Sequence, residues 1–178
     1  MNKAEFQTRN GQTCIIRPAT VEDVEFIGEC CAAGLFNPGM AGTFAVKSRR
    51  EDTLYSYRNT LIAEIDGTPI ACAVSYEGNR FRKMCEDTWG RYVEQALPGE
   101  YHFDTVATKE EYRGQGIATH LINYVMEQAR NSDYDFTYFT LVTEPENATA
   151  IRLYESLGFH LTGETRVENF LVMAKPRG

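Results

Sequence analysis

The sequence has no apolar run near the length of a membrane helix, no C-x-x-C pair and no excess of positive charge. A helix that spans a bilayer takes ~20 consecutive apolar residues. The opening Met1-Asn2-Lys3-Ala4-Glu5 lacks the basic-then-apolar order of a secretory leader. Neither a membrane nor an export route is therefore expected, and the cytoplasm is the expected location. The five cysteines, Cys14, Cys30, Cys31, Cys72 and Cys85, are odd in number and read as reduced thiols without a special role. A net charge of −7 argues against a nucleic-acid partner and mildly favours cationic ligands. Repeats, low-complexity tracts and linkers are also missing, so the 178 residues read as one domain, 1–178, large enough to bury a core without staples.

What is present alternates strands with helices. Cys14 to Arg17 reads as a first strand, closed by Pro18. Thr20 with Asp23 forms a loose capping box for a helix carrying Val24, Ile27, Cys31 and Leu35, which Gly34 and Asn37-Pro38-Gly39 stop. A second helix is expected from about Lys47. Asp66-Gly67 between Thr60–Ile65 and Pro69–Tyr76 is a hairpin signal. Phe81, Cys85, Trp89, Tyr92 and Ala96 fall at helical spacing. A strand is expected over Phe136–Thr143, then a helix from Asn147 to Leu157 with Gly158 as its C′ residue. Phe159–Val167 and Phe170–Ala174 read as two closing strands around Glu168-Asn169.

The stretch around which the rest is organised runs from Tyr101 to Leu121. It begins as a strand, Tyr101 to Thr108, with β-branched Thr105, Val106 and Thr108. Arg113-Gly114-Gln115-Gly116 then leads into a helix with Ile117, Leu121, Tyr124 and Val125 on one face. The first N–H groups of that helix have no intrahelical partners, and with the positive end of its dipole they form an anion site. Glycines that only allow a tight turn are the plainer alternative. The spacing excludes two nucleotide motifs. A dinucleotide fingerprint would need Gly or Ala where Thr119 stands, and a P-loop needs four residues between its glycines followed by Lys-Ser/Thr.

What remains is R-x-x-G-x-A, formed by Arg113, Gly116 and Ala118. This resembles the Q/R-x-x-G-x-G/A signature of the GNAT superfamily of N-acetyltransferases. Asn147, Ala150, Leu153, Tyr154, Gly158 and Phe159 extend the resemblance, matching the family's N-x-x-A-x-x-L-Y-x-x-x-G-F segment in the same order along the chain. The fold class implied is α/β (α+β), with a mixed, mostly antiparallel central sheet flanked by helices and a splayed central strand pair. Acetyl-CoA is the implied co-substrate, and no metal is implied. In similar proteins the cofactor lies where the Tyr101–Thr108 and Phe136–Thr143 strands separate. The resemblance gives Val106, Ala107 and Thr108 backbone bonds to the pantetheine, with an N–H near Val106 polarising the thioester carbonyl. It gives Arg113, Gly114, Gln115, Gly116, Ile117, Ala118 and Thr119 the pyrophosphate, and Asn147 a contact to the pantetheine arm. Tyr154 would protonate the departing sulfur. The plainer readings of these last two are an N-cap and a core tyrosine.

The amine would attack directly, without an acyl-enzyme, and neither motif contains a cysteine. An amine with a pKa near ~10 must first lose a proton. Asp104 and His102 share a strand face, with Glu100 before them. Asp104 ranks first as base or amine anchor and His102 second, against ordinary polar residues on a solvated strand end. Relatives that carry a glutamate on the next strand differ here, where Val142 stands. The acceptor is expected to be a small molecule or a peptide N-terminus, chosen by the segments 36–59 and 78–99. A homodimer is left open. The competing class is a non-catalytic CoA-binding or sensing module, and a third is transfer to oxygen or of a longer acyl group.

Overall fold

The computed structural model describes residues 3–34, 37–84 and 95–178. Among the described residues eight strands form one sheet in the order β1-β2-β3-β4-β5-β6-β8-β7. The β5–β6 pair is parallel, and the pairs β1–β2, β2–β3, β3–β4, β6–β8 and β7–β8 are antiparallel. This is the mixed, mostly antiparallel architecture expected. The chain divides into two compact units, Met1–Ser75 with Thr105–Gln128 and Tyr76–Asp104 with Ala129–Gly178. Strands β4 (Thr68–Glu77) and β5 (Glu100–Thr108) contribute residues to both.

The first unit opens with a hairpin of β1 (Ala4–Gln7) and β2 (Thr13–Pro18), then α1 (Val24–Gly34) and α2 (Ala41–Arg49). Strand β3 (Thr60–Ile65) returns as β4 through Asp66 (φ 50°) and Gly67 (φ 75°), the paired positive φ values of a two-residue hairpin turn. Ile27, Ile62 and Cys72 are completely buried, and Phe44 packs into the same cluster. Each such apolar side chain contributes roughly 1.5–3 kcal/mol by leaving water. Arg17 is held by Asp23 and Glu64, each at 2.7 Å. Asp23 also accepts from the Thr20 backbone N–H at 2.7 Å, the return half of the expected capping box. Helix α2 starts at Ala41 rather than near Lys47, because a Pro38–Met40 turn already feeds the helix.

The second unit contains α3 (Phe81–Met84), the start of β5, β6 (Tyr138–Thr143), α5 (Ala148–Ser156), β7 (His160–Leu161) and β8 (Leu171–Pro176). Its core is aromatic: Phe139 lies 4.9 Å from Phe136 and 6.2 Å from Phe103, ring centre to ring centre. Phe103 meets Phe159 edge-on at 6.0 Å. The expected strand Phe159–Val167 shrinks to β7, since Gly163 takes φ 77° and Arg166 turns in to Glu100. Of the helix expected from Phe81 to Ala96, α3 covers Phe81–Met84, Gln95 and Ala96 are not helical, and residues 85–94 lie outside the described residues. Among the described residues no helix is long and apolar enough to cross a membrane.

Candidate functional site

Beyond β5 the chain makes a short turn at Glu110–Tyr112, passes two glycines and enters α4 (Ile117–Arg130). Gly114 has φ 75° and Gly116 φ 86°, a backbone that L side chains adopt only with strain. Ile117 and Leu121 are buried to 1% and 0% exposure and fix the helix to the core of the first unit. Ile117 can therefore offer a ligand only its backbone. Arg113 and Gly114 are exposed, while Gln115, Gly116, Ala118 and Thr119 are half-buried. Arg113 Nε donates to the Thr108 carbonyl at 3.2 Å, which closes the turn. Val106, Ala107 and Thr108 keep intermediate exposure on the strand leading in.

The carbonyls of this loop are held one after another. Gly114 O accepts from Arg9 Nη1 at 3.1 Å, Gln115 O from the Arg9 backbone N–H at 3.2 Å, and Gly116 O from the His120 N–H at 3.1 Å. In a trans peptide the N–H points opposite to the C=O. Holding these three carbonyls therefore turns the N–H groups of Gln115, Gly116 and Ile117 the other way. Consecutive N–H groups at a helix start form a concavity suited to an anion.

In the second unit, β5 and β6 pair from Glu100↔Tyr138 to Phe103↔Leu141. Pairing with β6 stops there, although β5 runs on to Thr108 and β6 to Thr143. Glu100 and His102 are buried. Arg166 grips Glu100 with both guanidinium nitrogens, at 2.6 and 2.7 Å. The Thr140 hydroxyl donates to Glu100 Oε2 at 3.1 Å, so its oxygen is left to accept from His102 Nδ1 at 3.0 Å. That assigns the Nδ1–H tautomer and leaves Nε2 as a bare, buried acceptor with no partner among the described residues. Burial, and then the charge of Arg166, push the His102 pKa down to about 3. A neutral imidazole follows at physiological pH. Asp104, next on the same face, is half-buried and accepts from Tyr76 Oη at 3.0 Å.

Helix α5 follows the predicted outline. Asn147 Oδ1 caps it by accepting from the Ala150 N–H at 3.2 Å, and Lys175 Nζ closes the other end on the Leu157 carbonyl at 2.6 Å. Tyr154 packs edge-on against Phe159 at 5.8 Å. The residue keeps part of its surface open, while burial around the phenol pushes its pKa up to about 12. Val142 stands opposite Val172 in the β6–β8 register and brings no carboxylate to this strand.

Thus the residues from Val106 to Thr119 form one continuous strand, loop and helix start in the first unit, and His102, Asp104, Asn147 and Tyr154 belong to the second. Sequence reasoning missed Arg9, which lies 105 positions from its partner Gly114. It also missed Tyr76 as the partner of Asp104. Asn10-Gly11, a hairpin dipeptide, was the available signal for the β1–β2 turn that carries Arg9. The four described cysteines, Cys14, Cys30, Cys31 and Cys72, are buried. Burial and then the charge of Glu64 push Cys14 up to about 11, while hydrogen bonding with Cys30 and then burial hold Cys72 well above its ordinary value. Neither is a ready thiolate.

Known proteins resemble this chain in sequence and in fold. An N-alpha-acetyltransferase of Saccharolobus solfataricus is 38% identical over 74 residues, 40% of this chain and 44% of that protein. The matched stretches cover less than half of the curated relatives' own length. In fold, the chain resembles the crystal structure of an N-acetyltransferase from Staphylococcus aureus Mu50, with TM-score 0.73 and 21% identity over 90% of this chain and 99% of that one. The NatC complex bound to Gag peptide and CoA contains a similar chain, with TM-score 0.64 and 20% identity over 92% of this chain and 98% of that one. Residues 29–159 match the Acetyltransferase (GNAT) family, and the protein belongs to that family.

Proposed function

We propose that the protein transfers an acetyl group from acetyl-CoA to a primary amine, on a small molecule or a peptide N-terminus. The observation that carries this reading is the loop at Gly114–Ile117, whose three carbonyls are held by Arg9 and His120 so that each following N–H points away from its own C=O. The residues fit a pyrophosphate: two glycines at positive φ remove side chains from its approach, and the helix dipole favours its charge. Val106, Ala107 and Thr108 offer backbone groups to the pantetheine as an added strand would, with an N–H near Val106 aimed at the thioester oxygen. Arg113, Ala118 and Thr119 complete the loop, and Asn147 meets the pantetheine arm with the amide that also caps α5.

The amine nitrogen attacks the acetyl carbonyl carbon, the C–S bond breaks, and the sulfur leaves with a proton while an amide forms. Tyr154 serves the sulfur. A phenol with a pKa of about 12 stays protonated throughout the physiological range. It is a weaker acid than a thiol of pKa ~8.5, so it stabilises the departing sulfur chiefly as a hydrogen-bond donor. Asp104 takes the amine proton or anchors the cationic amine, with its carboxylate fixed by Tyr76. His102, with a pKa near 3, is a poor match to an amine of pKa ~10 and ranks below Asp104. The raised thiols of Cys14 and Cys72 support direct attack over an acyl group carried on either of them.

Gly116→Val tests the loop. A Cβ there lies 4.0 Å from Arg9 and His120, ordinary contact without a clash, so Val adds a side chain on the ligand's approach and strain at a φ of 86°. Since αL geometry costs a branched residue roughly 1–2 kcal/mol, CoA affinity measured by calorimetry should fall by about tenfold or more. Unchanged affinity in a folded Gly116→Val protein would overturn the assignment.

A further inference from the structure

We infer that Arg9, on the turn between β1 and β2, is a positioning residue for the cofactor loop. This rests on the acetyl-CoA reading above and extends it to a part of the chain outside the family match, which begins at residue 29.

The hairpin is itself firmly closed. The Thr8 N–H donates to Gln12 O at 2.9 Å, the Gly11 N–H to Thr8 O at 2.9 Å, and the Gln12 N–H to Thr8 Oγ1 at 3.0 Å. Thr8 is buried, so the turn has an anchor in the core. From this base Arg9 reaches the loop twice, side chain to Gly114 O at 3.1 Å and backbone N–H to Gln115 O at 3.2 Å. Phe6, on the strand before it, stacks on His120 with ring centres 4.0 Å apart and planes 18° from parallel. His120 is the residue whose N–H holds Gly116 O. The hairpin therefore touches both sides of the glycine pair, and through it the three peptide planes whose N–H groups would face a pyrophosphate are set before any ligand arrives.

Glycines at positive φ are the most mobile residues a chain can place in a loop, and an anion site made of them needs external bracing to keep its donors aligned. The Arg9 side chain is exposed and meets no carboxylate among the described residues, so its placement follows from the Gly114 carbonyl. Its positive charge, close beside Gly116, adds to the field of the helix start.

The test compares wild type with Arg9→Met, an exposed substitution that removes the guanidinium and keeps the backbone bond. Acetyl-CoA is one donor and S-acetyl-pantetheine, which lacks the pyrophosphate, is the other. The expected result is a KM for acetyl-CoA raised about three- to tenfold, the scale of one lost hydrogen bond, with kcat within about twofold and the KM for S-acetyl-pantetheine unmoved. In the ligand-free protein the amides of Gln115 and Gly116 should exchange with solvent faster in Arg9→Met. An equal rise in KM for both donors, or unchanged exchange at these two amides, would overturn the inference. If wild type fails to bind CoA in calorimetry, the acetyl-CoA reading falls, and the exchange measurement still decides whether Arg9 braces the loop.

Discussion

His102 Nδ1 lies 3.0 Å from Thr140 Oγ1, at the inner end of a polar chain that runs through Glu100 to Arg166. A histidine built into such a chain has consequences for stability as well as for chemistry. Its folded pKa is about 3, below the ordinary 6.5 of the unfolded chain. The unfolded state therefore binds more protons between these values. The stability this neutral imidazole contributes is complete above pH 6.5 and is lost as the pH falls towards 3. At 1.36 kcal/mol per pH unit, roughly 2 kcal/mol is lost by pH 5. Asp23 does not blur this window. Burial alone would raise its carboxyl, but hydrogen bonds from Arg17 and Thr20 outweigh that and hold it below the ordinary 3.8, so its own loss comes only at lower pH. Urea midpoints at pH 7 and pH 5 should show a smaller drop for His102→Gln than for wild type. Equal drops would mean that His102 is solvated or already charged.

Asp104 and His102 divide on turnover. Asp104→Asn keeps the shape that Tyr76 holds and removes the charge, so kcat/KM should fall with CoA affinity intact. Part of the activity should return at high pH, where more of the amine is free. His102→Gln should do less. A pH–rate profile for wild type and both variants with one identified amine checks this, and a silent Asp104→Asn beside a damaging His102→Gln reverses the ranking.

Tyr154→Phe removes a donor that stays protonated to about pH 12. Turnover should drop by ~10²–10³-fold, the scale of one lost transition-state donor, in an assay limited by chemistry, with little change in acetyl-CoA affinity. Wild-type turnover would return Tyr154 to the role of a core ring packed on Phe159.

The parts that could be read from the sequence are those determined locally. Asp66-Gly67, Gly114-x-Gly116 and the Asn147-to-Gly158 helix each have their signal within a few residues, and all three take the expected conformations. Long-range partners were not legible. Arg9 on Gly114 O spans 105 positions and Arg166 on Glu100 spans 66, and no periodicity encodes such meetings. The same holds for Tyr76 and Asp104. The pattern put Glu100, His102 and Asp104 on one face, but it could not say that Glu100 and His102 would be buried and paired while Asp104 stayed half-open. That contrast separates a structural histidine from a candidate base. Strand β1, four residues long, was too short for alternation to reveal.

Acetyl transfer to an amine is read most directly by free-thiol release from acetyl-CoA. Wild type would be given acetyl-CoA with a panel of small primary amines and peptides with free N-termini, each product followed by mass spectrometry. Thiol release should depend on one class of amine, be matched one-to-one by its acetylated product and be suppressed in Tyr154→Phe. CoA binding in calorimetry without amine-dependent thiol release from any member of the panel would contradict it and identify a CoA-binding module instead.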